Sequence, residues 1–399
     1  MQRGAERSSG PADGPVALLA WELGAGFGHA RRLLTAARGL IAAGFRVRVC
    51  QRELWACAEE FLSLSVPNFQ APHHRSQLPP GTSFRARGYA DMMAVTGYQT
   101  PEGLLPTVLG WDALIDAVRP DVVVADYAPM LALAAHGRVP LVAIGDGFVL
   151  PPTEGDRFPV LREGTRMADE ATMLANATRV QAIRGRPAPE ALPALVGGQA
   201  RVVCTYPESD VYAEQRPEPA QGPLEAGGGP LRGAPGPSIF FYLAADFPHT
   251  AKLLQALCDL RLPAEGYVRD APEPLRAALR TNRIGLHDRP PPLRDALARA
   301  QLVVHHGGIG TIETCLAAGR PQLLLPRHFE QTLNAETLAR QGVARRLPVP
   351  FSLAEAGLIL AEAAQSPDLL ARAQGVAAAL AGRPGSLDSL VAACRALAA

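Results

Sequence analysis

Residues 303–335 hold the densest set of groups that could bind an anion. They run Val303-Val304-His305-His306-Gly307-Gly308-Ile309-Gly310-Thr311-Ile312-Glu313, then Ala317-Ala318-Gly319-Arg320-Pro321, then Phe329-Glu330-Gln331-Thr332-Leu333-Asn334. The apolar run Leu302–Val304 reads as a short buried parallel strand. Gly307, Gly308 and Gly310 clear side chains from the turn that follows. A helix is expected from about Thr311, stopped by Gly319 and Pro321. A strand that empties through glycines into a helix start presents free backbone N–H groups and the positive helix end to one point, which is where a phosphate binds. His306 and Thr311 add side-chain donors there. The ligand inferred is the diphosphate of a sugar nucleotide, but the glycines alone do not justify it, since Gly-Gly-x-Gly before a helix also occurs in dinucleotide folds and in plain tight turns.

A second constellation lies near the start. Val16–Leu23 is an apolar run long enough for a first buried strand, Gly24-Ala25-Gly26-Phe27-Gly28-His29 a glycine turn, and Ala30–Ala43 a helix whose Leu33, Leu34, Ala37, Leu40 and Ile41 share a face. Gly44 ends it and Phe45–Cys50 starts the next strand. His29 therefore stands at the mouth of the first turn, and in open parallel sheets ligands collect at strand C-termini. A plain phosphate or acceptor contact is one reading of His29. Pro120-Asp121-Val122-Val123-Val124-Ala125-Asp126 reads as a buried strand with Asp126 at its C-terminal end, where it could cap the loop.

The spacing of the late segment resembles the donor-binding signature of the UDP-glycosyltransferase superfamily, most closely its bacterial macrolide and antibiotic members. His306, Gly308, Thr311, Ala318-Gly319-Arg320-Pro321, Leu323–Pro326, Glu330-Gln331 and Asn334 fall in register with that signature without a gap. The resemblance implies an α/β chain of two Rossmann-like domains facing across a cleft, each a parallel sheet flanked by helices. It implies that His306, Thr311 and the amides of Gly307, Gly308 and Gly310 hold the donor phosphate, and that Glu330 and Gln331 bind sugar hydroxyls. It also implies that His29 is the general base, a role imidazole suits because its ordinary pKa lies near neutrality, and that Asp126 pairs with it, fixing its tautomer and stabilising the imidazolium. An ordinary solvated helix start is the alternative for Glu330-Gln331, and packing beneath the loop the alternative for His305.

The chain also departs from the family pattern. Where relatives carry a Trp that stacks on uracil, it has His287-Asp288-Arg289-Pro290; His287 or Arg289 could stack on a base without specifying one. Thr314 stands where a ribose-binding Glu is expected, with Glu313 one place short. Arg31-Arg32 stands where a Pro usually follows the Gly-His. Ala244-Ala245-Asp246 replaces a Gly-Ser or Gly-Thr phosphate loop.

The surrounding chain sets the frame. Its 399 residues divide naturally into two domains, and 48% hydrophobic content supplies two cores. The expected segments are a disordered start over 1–14, an acceptor-binding domain over 15–215, a Pro/Gly-rich linker over 216–237, and a nucleotide-sugar domain over 238–399 that includes two or three helices after Ser352. The resemblance implies that the last of these crosses back onto the first domain. Net charge +1 carries no nucleic-acid signal. No apolar stretch approaches the ~20 residues that cross a bilayer, so no transmembrane segment is expected, and peripheral membrane contact stays open. Scattered cysteines without C-x-x-C spacing fit a cytoplasmic protein, and no metal site is expected. Met92, Met93, Tyr98 and Trp111 serve either an acceptor wall or the core.

The expected reaction is metal-independent transfer of a sugar from a nucleotide donor, UDP-linked by default, to a hydroxyl of a small or lipid-like acceptor, with inversion and no other cofactor. A sugar-nucleotide 2-epimerase and a non-catalytic nucleotide-sugar-binding or partner-activating protein are the alternatives. Product analysis with donor alone separates the epimerase from the transferase.

Overall fold

The computed structural model describes residues 14–73, 85–163, 169–233 and 235–399. The expected disordered start lies outside these residues apart from Gly14. The chain forms two compact units.

The first unit contains β1 (Val16–Trp21), α1 (Phe27–Ala42), β2 (Arg46–Gln51), α2 (Ala58–Ser63), β3 (Asn68–Gln70), α3 (Tyr89–Met93), α4 (Pro101–Val118), β4 (Val122–Asp126), α5 (Pro129–Ala135), β5 (Leu141–Gly145), α6 (Glu170–Arg184), α7 (Leu192–Gly197) and β6 (Ala200–Val203). Its six strands pair in the order β3-β2-β1-β4-β5-β6, all parallel. Every residue of β1, β4 and β5 is buried, as apolar strands covered on both faces require. α1 lays Ala30, Leu33, Leu34, Ala37 and Leu40 into the same core and is ended by Gly44 at φ 94°. Met93, Tyr98 and Trp111 are fully buried, so these three serve the core.

The second unit contains β7 (Ser238–Ala244), α8 (Thr250–Leu260), β8 (Ala264–Arg269), α9 (Glu273–Thr281), β9 (Gly285–Leu286), α10 (Leu293–Arg299), β10 (Ala300–His305), α11 (Ile309–Ala318), β11 (Gln322–Leu324), α12 (Phe329–Arg340), β12 (Ala344–Arg346), α13 (Leu353–Gln365) and α14 (Pro367–Leu380). The sheet order is β12-β11-β10-β7-β8-β9. Counted from the first strand of each unit, both sheets follow the doubly wound order in which direction reverses beside strand one. The two sheets of parallel strands flanked by helices are those expected.

The final helix, α15 (Leu387–Ala398), belongs to the first unit, where Leu390 and Cys394 are buried in the core with α1 and the sheet. The contact division therefore differs from the simple split at 216–237. The first unit takes the chain up to Pro207, Tyr212–Glu225 and Gly385–Ala399; the second takes Glu208–Val211 and Ala226–Pro384. The apolar face of α15 decides its side, because burial beside α1 removes that face from water.

Two element boundaries move in ways that matter to the site. α1 begins at Phe27, with Gly26 at φ 95° before it, so His29 sits in the first helical turn rather than in the loop. α11 begins at Ile309 rather than Thr311, with Gly308 as its flanking residue.

Candidate functional site

In the first unit the sheet reverses direction between β1 and β4, and their last residues, Trp21 and Asp126, are register partners. α1 leaves β1 and carries His29 back over this point. His29 Nδ1 lies 3.1 Å from Asp126 Oδ2. A carboxylate only accepts, so Nδ1 carries the hydrogen and donates, and Nε2 of the neutral ring keeps its lone pair. Nε2 has no hydrogen-bond partner among the described residues. Trp21 stacks on one side of the imidazole at 5.0 Å and 15°, and Tyr127 lies 6.2 Å from it. A Cβ on Gly24, whose φ is 83°, would sit 2.6 Å from Nε2. That glycine is thus demanded by both conformation and space. Tyr127 itself adopts φ 48°, a conformation non-glycine residues seldom take, directly after Asp126, and its carbonyl accepts from Leu23 N at 3.0 Å.

Asp126 is completely buried, and Arg32 supplies its counter-charge. Arg32 Nη1 donates to both Asp126 oxygens at 2.8 and 2.9 Å, and Nη2 donates to Asp146 Oδ2 at 2.7 Å. Asp146 Oδ1 also accepts from the amides of Phe148 and Val149. Burial works against the Asp146 carboxylate, yet the Arg32 guanidinium beside it, with His29 and these hydrogen bonds, holds it below its ordinary value. Burial likewise disfavours charge on Arg32, but Asp126 and Asp146 together push its proton affinity above normal. Sequence reasoning saw Arg31-Arg32 only as a missing Pro. Its clue was the i, i+3 spacing of His29 and Arg32, which puts both on one helix face.

A second buried acid was also missed. Glu22 follows Trp21 and is fully buried; it accepts from Trp111 Nε1 at 3.1 Å and from the Met130 and Leu131 amides at 3.0 and 3.4 Å. Burial pushes its carboxyl up to about 8 against those hydrogen bonds. Glu22 thereby ties the end of β1 to α4 and to the start of α5.

In the second unit the sheet reverses between β7 and β10, and the glycine turn leaves β10 there. Gly307 has φ 90°, and Asn334 Nδ2 donates to its carbonyl at 3.1 Å, so α12 is fastened beneath the turn. The amides of Ile309 and Gly310, first in α11, have no acceptor among the described residues. Gly310 is exposed and Thr311 half-buried beside them. These are the orphan donors of a helix start.

The two histidines are placed differently from one another. His305 packs under the loop: its Nε2 donates to Gln322 Oε1 at 3.0 Å, and Nδ1 accepts from Gly307 N at 3.1 Å. His306 Nδ1 donates to Leu325 O at 2.8 Å, while Nε2 accepts from Ala244 N at 2.9 Å; Phe247 packs edge-on against the ring. Burial pushes both imidazoles down to about 4 and keeps them neutral. With both ring nitrogens engaged, His306 in this conformation shapes the turn and offers no N–H outward. The Ala244-Ala245-Asp246 segment is what occupies it. Asp246 in turn accepts from Arg327 at 2.8 Å and faces Arg269 at 3.5 Å.

Gln331 Oε1 accepts from Arg327 N at 2.9 Å, which locks the start of α12, and Glu330 is half-buried beside it. Glu313 is 9% exposed on α11, and Thr314 spends its hydroxyl on Gly310 O. His287 follows β9 at the sheet edge, three strands from β10, and pairs with Glu265 at 3.2 Å. The structure thus gathers His305, His306, Gly307, Gln331 and Asn334 about one turn and leaves His287 apart from it.

Comparison with known proteins gives a family match and several relatives. Residues 281–394 match the family described as Erythromycin biosynthesis protein CIII-like, C-terminal domain. Over 85 residues the chain is 35% identical to Glycosyltransferase GtfC of Amycolatopsis orientalis, covering 21% of each protein. Over 267 residues it is 27% identical to L-demethylnoviosyl transferase of Streptomyces niveus, covering 63% of this chain and 65% of the relative. The chain therefore spans about a fifth of the first of these relatives and just under two thirds of the other. The solved structure of glycosyltransferase VinC in complex with DTDP superposes with a TM-score of 0.66 at 18% identity, over 96% of this chain and 99% of that one. The fold is that of the GT-B glycosyltransferases, and the resemblance first read from 306–334 is to those of antibiotic biosynthesis.

Proposed function

We propose that the protein is an inverting glycosyltransferase that moves a sugar from a nucleoside-diphosphate donor to an acceptor hydroxyl without a metal ion. The observation that carries this reading is the His29–Asp126 contact at 3.1 Å with Nε2 left open. In the proposed step an acceptor O–H gives its proton to His29 Nε2 as its oxygen forms a bond to the anomeric carbon. The bond from that carbon to the diphosphate oxygen breaks, and direct displacement inverts the centre. Asp126 holds the tautomer that exposes Nε2 and stabilises the imidazolium that results.

The donor falls to the second unit. The open amides of Ile309 and Gly310, the Thr311 hydroxyl and the positive end of α11 would take the leaving diphosphate, stabilising charge through oriented donors. His306 would hold this turn in shape, and Glu330 and Gln331 would face sugar hydroxyls. A pyrimidine nucleotide, UDP or TDP, is the donor class we favour; the VinC structure holds DTDP. The acceptor we favour is a small apolar molecule bearing one reactive hydroxyl.

A calorimetric screen of UDP-, TDP- and GDP-sugars tests the donor half, with Gly310→Asp as its control. A Cβ at Gly310 meets nothing within 4 Å, so the variant folds, and a carboxylate at a helix start is favourable. It would nonetheless repel the diphosphate. Equal donor affinity in wild type and Gly310→Asp refutes the placement.

A further inference from the structure

The first unit buries more charge around His29 than one acid–base pair needs. Arg32 lies between two carboxylates, donating twice to Asp126 and once to Asp146. The three side chains are 10%, 0% and 6% exposed. Taken together, Asp126, Asp146 and Arg32 carry one net negative charge, and a proton on His29 brings the cluster to neutrality.

We propose that Arg32 and Asp146 are positioning residues of the candidate base. Arg32 clamps both Asp126 oxygens so that Oδ2 is fixed toward His29 Nδ1, and Asp146 restores the negative charge that Arg32 alone would cancel. This rests on reading His29 as the base that accepts the acceptor proton.

Either part alone would fail. Without Arg32, Asp126 and Asp146 would be two buried carboxylates with His29 as the nearest group able to take up balancing charge, and Asp126 would be free to turn Oδ2 away from Nδ1 and release the tautomer that leaves Nε2 open. With Arg32 but without Asp146, the Asp126–Arg32 pair is neutral, and nothing favours a proton arriving on His29. Clamp and balance together hold the ring in place and ready it to receive charge.

The other groups around the ring do not supply this charge. Glu22, next to Trp21, turns its carboxyl to Trp111 and the start of α5. Cys204, after β6, has its thiol pushed up to about 11 by burial and stays uncharged. Tyr127 presents a neutral ring, and Arg31, next to Arg32 on α1, is exposed to solvent.

The test reads His29 directly in the full-length protein, with no substrate. Histidine-labelled protein is followed by NMR across pH, and the His29 resonance is identified by its loss in His29→Gln. In Asp146→Asn the His29 titration midpoint moves to lower pH, and in Arg32→Gln it moves to higher pH. Each displacement corresponds to roughly a tenfold change in the protonation constant, the size expected of one unit charge several ångströms away in a partly buried site. The double variant returns near the parent. Midpoints that stay still, or move the same way in both single variants, overturn the proposal. If Arg32→Gln does not fold, the near-isosteric Asp146→Asn decides alone, and a midpoint that fails to fall overturns it. The outcome does not depend on sugar transfer, so this proposal and the transferase reading can fail separately.

Discussion

Glu22→Gln isolates the buried acid at the end of β1. The wild-type carboxyl is fully buried and pushed up from 4.5 to about 8. Its folded-state value lies above its unfolded one, so it contributes stability that is fully present below about pH 4.5 and lost as pH rises through about 8. The span is about 3.5 units at ~1.36 kcal/mol each, an upper bound near ~5 kcal/mol; relaxation around the charge brings the expected loss to about 2–4 kcal/mol. Three donors point at the carboxyl, from Trp111, Met130 and Leu131, and they moderate the loss without reversing it. Gln keeps the carbonyl that accepts from Met130 and cannot ionise. Equilibrium urea unfolding of both proteins between pH 5 and pH 9 measures the difference. Wild-type stability relative to Glu22→Gln should fall steadily toward pH 8 and then level off. A difference that is flat with pH, or that grows toward alkaline pH, would show that hydrogen bonding rather than burial controls this group.

Other consequences are as direct. Gly24→Ala puts a Cβ 2.6 Å from His29 Nε2 and strains a residue at φ 83°; a ring displaced by ~1 Å should cost on the order of 10²-fold in kcat with donor affinity unchanged, and steady-state kinetics beside donor calorimetry checks this. His305 and His306, held near 4 by burial, lie below their unfolded values, so their stabilisation is present above about pH 6.5 and lost as pH falls through about 4. His305→Gln should therefore flatten the acid side of the stability curve by on the order of 1–3 kcal/mol, read by urea unfolding at pH 7 and pH 4.5. Leu390→Ala empties a fully buried position of the first unit's core and should cost about 2–5 kcal/mol; calorimetric unfolding should assign that loss to the first unit although the residue lies at the far end of the chain.

Much of the frame was legible because parallel strands are buried on both faces. Val16–Trp21, Val122–Ala125 and Leu302–Val304 advertise themselves as unbroken apolar runs, and each leads toward a residue that could do chemistry, His29, Asp126 or the His305-His306 pair. The His29–Asp126 pairing was implied by the resemblance alone; the residues placed each near a strand end but named no partner for either. The Arg32–Asp146 bridge was not legible, because it joins residues 114 apart and no local pattern names a partner. The engagement of His306 by the Ala244 amide escaped for a like reason, arising when β7 and β10 are set side by side. That α15 packs with the first unit was implied by the resemblance, while its own Ala-rich sequence named no core to receive it. Tyr127 after Asp126 gave no sign of its positive φ, since it is the neighbouring turn that imposes that conformation.

The central claim is that His29 removes the acceptor proton while a separate site holds the donor. The direct measurement is the rate of sugar transfer by wild type and His29→Ala with the same donor and acceptor, beside calorimetric donor affinity for both. The account predicts a rate loss of about 10²–10⁴-fold and a donor affinity that does not change. A variant that transfers at the wild-type rate, or that loses donor affinity in step with rate, would contradict it.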